Sequence, residues 1–518
     1  MTLIQLWLLF ILGTQILHFL GTWKLYAKAG RKAWEAAIPV YNAIILMHII
    51  KRPKWWVLLL FIPIINLLMF PIIWIETIRS FGKNSRLDTA LVLVTFGLYI
   101  YYVSYVDTVT YKEERSLQPQ SGLGEWVSSI AFAIIAATIV HTYVMCPYTI
   151  PTSSLEKSLL VGDYLFVSKF HYGARTPMTP IAMPMVHDSI PMTKKRSFLN
   201  SIQLPYMRLP GLQKIKRNEI VVFNWPADSL KWMWNDNSGK FTYKPIDKKT
   251  NYVKRCIAIA GDSMQIINGD IFINGELSVM PVRAKPQYYH DVILNEGQRI
   301  SGKSLHERYG VREGFSTNNG NYNLNLTDKE AALLRKNPSV KSIIKRIESI
   351  GRYDRRVFPH DAQYPWTQDN YGPIYIPKKG ETVELNHKSI PFYKHLIKEY
   401  EHHENVTFNG DEVYINGLKV TNYTFKQDYY FMMGDNRQAS LDARFWGFTP
   451  FDHVVGKPVF IWFSWETNAE GIKNKIRWDR LFTTVHGDGK PRSYFFYFLG
   501  FFALYILYSH FAKKRKEK

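Results

Sequence analysis

The sequence predicts a membrane-anchored protein. N-terminal transmembrane helices precede a mainly antiparallel β catalytic domain with an inserted α+β subdomain, and a C-terminal transmembrane helix follows. Two observations lead to this fold class. Apolar runs nearly free of charge lie at both ends of the 518-residue chain, with lengths close to the roughly 17–25 residues that a membrane span requires. Between them, short β-rich runs alternate with Gly, Asn and Asp turns, which is typical of antiparallel sheet.

The N-terminal membrane region, residues 1–146, is expected to hold four transmembrane helices, and residues 491–518 are expected to hold a fifth with a basic tail. A further apolar run at residues 36–50 is short, contains Pro39 and Asn42, and has basic residues on both sides. We therefore interpret it as an interfacial segment. The predicted spans lie near residues 3–20, 55–75, 90–105, 126–145 and 494–511.

Basic residues predict the orientation of these spans. If the interfacial segment does not cross, residues 24–54 lie on one side of the membrane, and their lysines and arginines make that side cytoplasmic by the positive-inside rule. Residues 146–491 then lie outside, and the basic tail at residues 513–516 returns to the cytoplasm. Three basic residues of a short outer loop count mildly against this topology: Arg79, Lys83 and Arg86.

The net charge of +22 predicts anionic partners. Much of this charge borders the predicted spans, and the outer region has no basic run with interleaved aromatic residues. Anionic lipid headgroups are therefore the expected partner, and nucleic acid is not. Two cysteines are too few for a disulfide framework or a cysteine-rich metal site. No basic residue precedes the first apolar run, which favours a signal anchor over a cleavable signal peptide.

The outer region divides into two β-rich blocks and an insert. Residues 147–276 and 405–490 are expected to form one extracytoplasmic β domain, interrupted by an inserted α+β subdomain at residues 277–404. Two phrases with Asn-Gly turns flank the insert, at residues 267–275 and 408–417. Because Asn-Gly suits tight hairpins, these phrases predict turns and not sites.

Three helices are predicted within the insert. Residues 327–330, with the sequence T-D-K-E, are a capping box, which opens a short helix. Residues 338–350 and 391–400 are also expected to be helical. The helical spacing in the first of these two segments is carried by Val340, Ile343, Ile344 and Ile347.

A hydroxyl nucleophile needs a base beside it, because a free serine is negligibly ionised near neutral pH. Histidine is the usual base, but the sequence has no G-x-S-x-G motif. His306-Glu307 and His403-Glu404 lack the second histidine of a zinc-binding H-E-x-x-H motif, so no metal site is predicted. The remaining pairing is a serine with a lysine.

Two lysines could serve such a serine. Ser154 and Lys157 satisfy the S-x-x-K pattern of penicillin-binding proteins and β-lactamases, although no S-D-N or K-T-G motif follows. Strand alternation in residues 251–262 places Lys254 on one face with Tyr252 and Cys256. If Lys254 is buried there, its pKa would fall from about 10.4 to about 7–8, and a neutral lysine can accept a serine proton. Spacing alone leaves open that Lys254 extends from a sheet edge into water.

Four sequence segments, in order, resemble the conserved boxes of bacterial type I signal peptidases. The first contains P-T-S-S-L-E-K-S-L-L-V-G-D, and the last is G-D-N-R-Q-A-S-L-D-A-R-F-W-G. The four segments cover residues 151–173, 217–226, 252–262 and 434–447.

This resemblance implies a Ser/Lys dyad on a mostly β catalytic domain, with no metal or cofactor. Carried over by position, Ser154 is the nucleophile, because the family's serine is the third residue after the proline, and Lys254 is the general base. Thr152 is implied to hold the oxyanion together with the backbone N–H of Ser154, and Ser440 to orient the lysine. The residues implied to brace the site through ion pairs are Arg255, Asp435, Asp442 and Arg444.

The resemblance implies a membrane-bound serine endopeptidase that cleaves signal peptides from exported precursors after small residues of the A-x-A type. Its implied location is the bacterial cytoplasmic membrane, with the catalytic domain outside and with precursors and membrane lipids as partners. Two alternatives remain at this point. The first is a penicillin-recognising acyltransferase that uses Ser154 and Lys157. The second is a catalytically inactive scaffold for exported proteins.

The chain departs from the family pattern at two places. Leu155 and Lys157 stand where the family usually has Met and Pro, and Asn218-Glu219 replaces the usual Gly-Asp. Leucine preserves an apolar contact of similar volume. Lys157 adds a charge, so we expect substrate preference to differ while the dyad is intact.

Overall fold

A computed structural model describes residues 3–119, 121–193, 195–228, 241–317, 320–467, 469 and 471–516. The chain forms two compact units. The first comprises Met1–Val144 and Ala174–Leu209, and the second comprises Met145–Gly173 and Pro210–Lys518.

The first unit is helical. Its core consists of apolar side chains that are fully buried between short helices, including Met47, Ile65, Val92 and Val103. Residues 174–209 contribute isolated antiparallel bridges, one of them between Arg175 and Arg208. The helices are α1 (Leu3–Lys28), α2 (Tyr41–Ile49), α3 (Trp56–Leu60), α4 (Ile65–Ser80), α5 (Arg86–Val94), α6 (Tyr99–Tyr105) and α7 (Gly122–Ile139).

Three stretches in the described residues are helical, long and apolar enough to cross a membrane: Leu8–Lys28, Gly122–Val144 and Phe495–Ala512. They overlap the predicted first, fourth and fifth spans. The predicted span at 90–105 corresponds to α5 and α6, which are bent by 119° relative to each other. The structure therefore has long apolar helices near the N-terminus, in the middle of the chain and near the C-terminus, as the sequence predicts.

The predicted span at 55–75 is not one continuous helix. It is broken between α3 and α4 at residues 61–64, where Pro63 removes a backbone donor and Ile64 has a φ of 71°. The segment at 36–50, predicted to be interfacial, forms the nine-residue helix α2. At 1.5 Å per residue such a helix rises about 14 Å, about half the hydrocarbon thickness, so it is too short to span.

The second unit is built on an antiparallel sheet of eight strands. Strands in its interior are buried on both faces. Val221, Phe223 and Cys256 belong to one apolar cluster, while Ile220 and Val222 belong to a cluster on the opposite face. The strands are β1 (Met145–Thr149), β2 (Asp163–Ser168), β3 (Ile220–Asn224), β4 (Asn251–Ala258), β5 (Ser263–Ile267), β6 (Asp270–Ile273), β7 (Glu276–Leu277), β8 (Tyr288–Leu294), β9 (Gly314–Ser316), β10 (Tyr322–Leu326), β11 (Val340–Lys345), β12 (Tyr371–Tyr375), β13 (Thr382–Glu384), β14 (Val406–Asn409), β15 (Glu412–Ile415), β16 (Leu418–Val420), β17 (Asn422–Thr424), β18 (Tyr429–Met433), β19 (Thr449–Pro450), β20 (Val454–Ser464) and β21 (Thr483–Thr484).

The order of strands in the large sheet is β1-β2-β20-β3-β4-β18-β19, with β21 paired to β20. Strand β4 therefore lies between β3 and β18, away from either edge. The predicted hairpins at 267–275 and 408–417 are confirmed as β5-β6-β7 and β14-β15-β16. The helices of this unit are α8 (Gly302–Tyr309), α9 (Asp328–Leu334), α10 (Ile390–Glu399), α11 (Ala443–Trp446), α12 (Ile472–Lys475) and α13 (Phe495–Lys516).

Residues 288–345, here called the small subdomain, form a four-stranded sheet in the order β11-β8-β10-β9 with α8 and α9. It has an apolar core of its own, in which Val292, Leu324 and Leu334 are fully buried or nearly so. The predicted capping box is confirmed, since Thr327 accepts from the backbone N–H of Glu330 at the start of α9.

The helix predicted at 338–350 is wrong, because Val340–Lys345 forms strand β11 and pairs with β8. Ile343 is buried and Ile344 is exposed, as strand alternation requires. A short run rich in β-branched residues fits both periods, and the neighbouring strand decides between them. The helix predicted at 391–400 is confirmed as α10.

The predicted insert at 277–404 is divided between two cores. The small subdomain has its own core, but β12 pairs with β5, and α10 packs Leu396 and Ile397 into the main apolar cluster of the second unit. The independent part of the insert is therefore limited to the small subdomain.

Candidate active site

Ser154 lies in a short 3-10 turn, Ser153–Leu155, that follows strand β1. The turn is anchored by Ile150 and Leu155, which are buried in one apolar cluster of the large sheet. Ser154 itself is only 7% exposed. The nucleophile predicted from the sequence is therefore held on a fixed turn beside the sheet.

Lys254 lies on the interior strand β4 and brings its Nζ to 2.5 Å from Ser154 Oγ. The two residues are 100 positions apart in the chain, so only the folded sheet brings them together. Lys254 is 3% exposed, and the open alternative of a lysine at a sheet edge is excluded.

Burial lowers the pKa of Lys254 to about 8. The negative charge of Asp442 acts to raise this pKa, and the positive charge of Arg444 acts to lower it. The Lys254 amine also lies 5.5 Å from the centre of the Tyr252 ring. A substantial fraction of Lys254 is therefore neutral near pH 8, as a proton acceptor must be.

Two buried ion pairs lie near Lys254. Arg255, on β4, donates to both carboxylate oxygens of Asp435, at 2.8 and 2.5 Å. Arg444 does the same to Asp442, at 2.9 and 2.8 Å. Burial acts to raise the pKa of each carboxyl, but the adjacent guanidinium outweighs it, and both pKa values lie below their usual range. All four predicted bracing residues are thus paired.

The two remaining predicted residues lie beside the dyad. Thr152 directly precedes the 3-10 turn Ser153–Leu155 and is exposed. Ser440 is buried, and its hydroxyl has no hydrogen-bond partner among the described residues. A Cβ placed on Gly434 would collide with Ser440 Oγ and with the carbonyl oxygen of Ser154. Gly434 therefore packs closely against both Ser440 and the backbone of Ser154. Its bond to the lysine stays a prediction.

The structure accounts for both departures from the family pattern. Lys157 Nζ lies 2.5 Å from Glu330 Oε2 and 3.2 Å from the carbonyl oxygen of Asn325. Its charge is therefore paired within the small subdomain. Asn218 has a φ of 67°, a left-handed conformation that Gly and Asn adopt readily. Glu219 accepts from Tyr172 and pairs with Lys457.

Several residues near the site had no predicted role. Asn436 is buried and donates its backbone N–H to the carbonyl oxygen of Ser154, at 3.1 Å. It lies within the fourth of the segments that resemble the family, and this position could have marked it as a site residue from the sequence. Three residues of the small subdomain also contact this region. Glu330 and Asn325 bind Lys157, and Asn325 and Glu313 bind Asn436. No local sequence motif predicts these contacts.

A pocket of about 970 Å³ adjoins the site at Ser440. Trp225 and Trp446 line it, and both pack against Tyr252, with ring centres 5.2 and 5.6 Å apart. No pocket residues are predicted from the sequence. Within the described residues there is no group of three His, Cys, Asp or Glu side chains that could hold a metal ion, and Cys146 and Cys256 form no disulfide.

A serine hydroxyl beside a buried, partly neutral lysine on an antiparallel β scaffold is the arrangement of a serine endopeptidase, and the long apolar helices associate this one with a membrane. The family model described as signal peptidase, peptidase S26, matches residues 123–315 and 337–465, more than half of the chain. The chain belongs to this family, and its activity is that of a type I signal peptidase. The resemblance of the four conserved segments is thereby confirmed.

Residues 34–114 match a second family, described as a family of unknown function (DUF5684). Among curated relatives, the signal peptidase I of Haemophilus influenzae is 24% identical over 73% of this chain and 80% of its own length. The signal peptidase I of Helicobacter pylori strain J99 is 26% identical over 70% of this chain and 92% of its own length. The signal peptidase I of Rickettsia typhi is 23% identical over 67% of this chain and 85% of its own length.

Proposed function

We propose that this peptidase removes signal peptides from exported precursors, cleaving after small residues of the A-x-A type, with Ser154 as nucleophile and Lys254 as general base. The observation that carries the proposal is the 2.5 Å distance between Lys254 Nζ and Ser154 Oγ. A side chain within hydrogen-bond reach of the nucleophile and with a pKa near the working pH is suited to general base catalysis.

In the first half of the reaction, neutral Lys254 takes the Ser154 hydroxyl proton while Oγ attacks the scissile carbonyl carbon. The backbone N–H of Ser154 and the hydroxyl of Thr152 stabilise the resulting oxyanion. The C–N bond then breaks, and the Lys254 ammonium returns its proton to the leaving amine. The products are the free mature protein and a signal peptide esterified to Ser154.

In the second half, Lys254 takes a proton from a water molecule that attacks the ester. The bond between the acyl carbon and Ser154 Oγ breaks, and Oγ takes a proton from the Lys254 ammonium. The signal peptide leaves with a free carboxyl group, which regenerates the dyad. Ser440 is proposed to orient Lys254 through both steps. The ion pairs Arg255–Asp435 and Asp442–Arg444 are proposed to brace the loop that carries Ser440 and the strand that carries Lys254.

The pairing of Lys157 argues against the S-x-x-K alternative. Its amine is bound to Glu330 and to the carbonyl oxygen of Asn325, whereas the amine next to Ser154 Oγ belongs to Lys254. A base must reach the proton it removes, and Lys254 satisfies this requirement.

We further propose that the protein is a multi-pass protein of the bacterial cytoplasmic membrane, with residues 1–146 as the N-terminal membrane region and residues 491–518 as the C-terminal anchor. The catalytic domain, residues 147–276 and 405–490, would face the outside, where exported precursors arrive. Three long apolar helices support the membrane location. The positive-inside rule supports the orientation. Membrane lipids and precursors are the expected partners, and no cofactor is required.

Cleavage of a precursor with an Ala-x-Ala site by the purified full-length protein in detergent tests this function. The released mature protein, identified by mass, should begin at the residue after the second alanine. A matched precursor with a bulky residue in place of each alanine should stay intact. If the wild-type protein cleaves neither precursor, or cuts both equally, the proposed function is wrong. A protein that only scaffolds exported chains would cleave neither.

The pH dependence of cleavage should follow the pKa of Lys254, which burial lowers to about 8. Below pH 8 the lysine is mostly protonated and cannot accept the serine proton, so the rate should fall about tenfold per pH unit. Above pH 8 it should reach a plateau. Initial rates at subsaturating precursor between pH 6 and 9 measure this. A flat profile would contradict the assignment of Lys254 as the base. So would a rate that still climbs about tenfold per pH unit at pH 9, as a base with the ordinary lysine pKa of about 10.4 would give.

A further inference from the structure

Residues of the small subdomain contact the turn that carries Ser154. We call residues 152–158 the nucleophile turn. Its backbone includes Lys157 at a φ of 67°, a conformation that residues other than Gly, Asn and Asp rarely adopt without support from their surroundings. The turn is therefore a segment whose conformation depends on the contacts made to it.

The first set of contacts runs through Asn436. Its backbone N–H donates to the Ser154 carbonyl oxygen at 3.1 Å, and its side-chain amide donates to the Ser153 carbonyl oxygen at 3.2 Å. Two residues of the small subdomain hold that amide in turn. Asn325 donates to Asn436 Oδ1 at 2.6 Å, and Glu313 accepts from Asn436 Nδ2 at 2.8 Å. The amide of Asn436 thus has a fixed orientation.

The second set of contacts runs through Lys157. Its side chain is 8% exposed and pairs with Glu330, which is 22% exposed, at 2.5 Å. The same Glu330 oxygen accepts the backbone N–H of Thr327 in the capping box of α9. Lys157, the residue with the positive φ, is thereby bound to the first turn of α9 in the small subdomain.

We infer that Glu313, Asn325 and Glu330 are positioning residues for the peptidase reaction, which act on Ser154 through Asn436 and Lys157. This inference rests on the proposed function. The physical reason is that a displacement of about 1 Å from the attacking geometry can lower a rate by about 10²-fold. The small subdomain then acts on catalysis without contacting the reacting atoms.

The variant Glu330→Gln isolates this role. Glutamine keeps the hydrogen bond of the capping box but removes the charge that pairs with Lys157. We expect kcat for precursor cleavage to fall about tenfold, with KM changed less than about twofold. Asp328→Asn is the matched control, because Asp328 is an exposed carboxylate in the first turn of the same helix. It should cleave like the wild type.

A double-mutant comparison separates positioning from general destabilisation. Lys157→Met should lose about as much kcat as Glu330→Gln, and the variant with both changes should lose no more than either, because the residues act as one pair. Lys157→Arg should restore most of the rate. The apparent pKa of the pH profile should stay near that of the wild type in all of these variants, since the base is untouched.

Other results would overturn the inference. It is wrong if Glu330→Gln matches Asp328→Asn in kcat, if only KM rises, or if the kcat losses of the two single variants multiply. A different result would contradict the proposed function: the Ser154→Ala variant would still cleave the precursor. Cleavage that Ser154→Ala abolishes but Glu330→Gln leaves unchanged overturns the positioning role alone.

Discussion

Lys254→Met should abolish precursor cleavage, lowering kcat by at least about 10³-fold, without lowering the thermal stability of the protein. The methionine side chain preserves the apolar stem and lacks the amine. General base catalysis contributes about 10²–10⁴-fold to rates, and an unactivated serine hydroxyl is a poor nucleophile. Burial of the lysine amine is unfavourable in free energy, so its removal should leave the melting temperature unchanged or raise it.

The measurement combines single-turnover cleavage of an Ala-x-Ala precursor with a thermal melt of the same full-length preparation. Ser154→Ala should give the same loss of cleavage. Lys157→Met serves as the matched control, because it removes a nearby lysine of the same turn and should lose only about tenfold in kcat. If Lys254→Met cleaved the precursor while Lys157→Met did not, the assignment of the base would be wrong.

Asp442→Ala should destabilise the second unit by about 3–5 kcal/mol, because it leaves the guanidinium of Arg444 buried without its counter-charge. Asp442 is fully buried and Arg444 is 1% exposed. The substitution also leaves the backbone N–H of Gly434 without its acceptor, which lies at 3.0 Å. For a domain of this size, the expected fall in melting temperature is about 10 °C.

The chain contains a matched control for this prediction. Asp354 and Arg356 have the same two-residue spacing and pair at 2.6 Å, but the Arg356 side chain is 68% exposed. The Asp354 side chain is 11% exposed, but the Arg356 guanidinium stays in water when its partner is removed. Such a pair contributes about 0–1 kcal/mol, so Asp354→Ala should shift the melting temperature by only a few degrees. Equal shifts in the two variants would show that burial of the Asp442 pair does not govern its contribution. Melts monitored by aromatic fluorescence measure both.

Several features of this protein follow from local sequence. The long apolar helices are predicted by charge-free runs of membrane length, because the bilayer acts as a solvent on each segment separately. The capping box at Thr327 and the Asn-Gly hairpins are predicted because each involves only residues that are close in the chain. The four conserved segments identify Ser154 and Lys254 by position.

Other features depended on neighbours that are distant in the chain. Val340–Lys345 is a strand because β8 lies beside it, and its own spacing fits a helix equally well. The segment near residue 61 is a break between helices, where apolar composition alone predicts a continuous span. The predicted insert is divided because β12 and α10 find partners in the main core.

The choice of base shows the same division. The sequence by itself determined that a serine could be served by Lys157 or Lys254, and resemblance favoured the second. Only the tertiary structure decided their states, since it buried Lys254 on an interior strand beside Ser154 and paired Lys157 with Glu330. The physical reason is that local pattern determines which residues are available, whereas desolvation and pairing depend on groups brought together from 100 or more positions away.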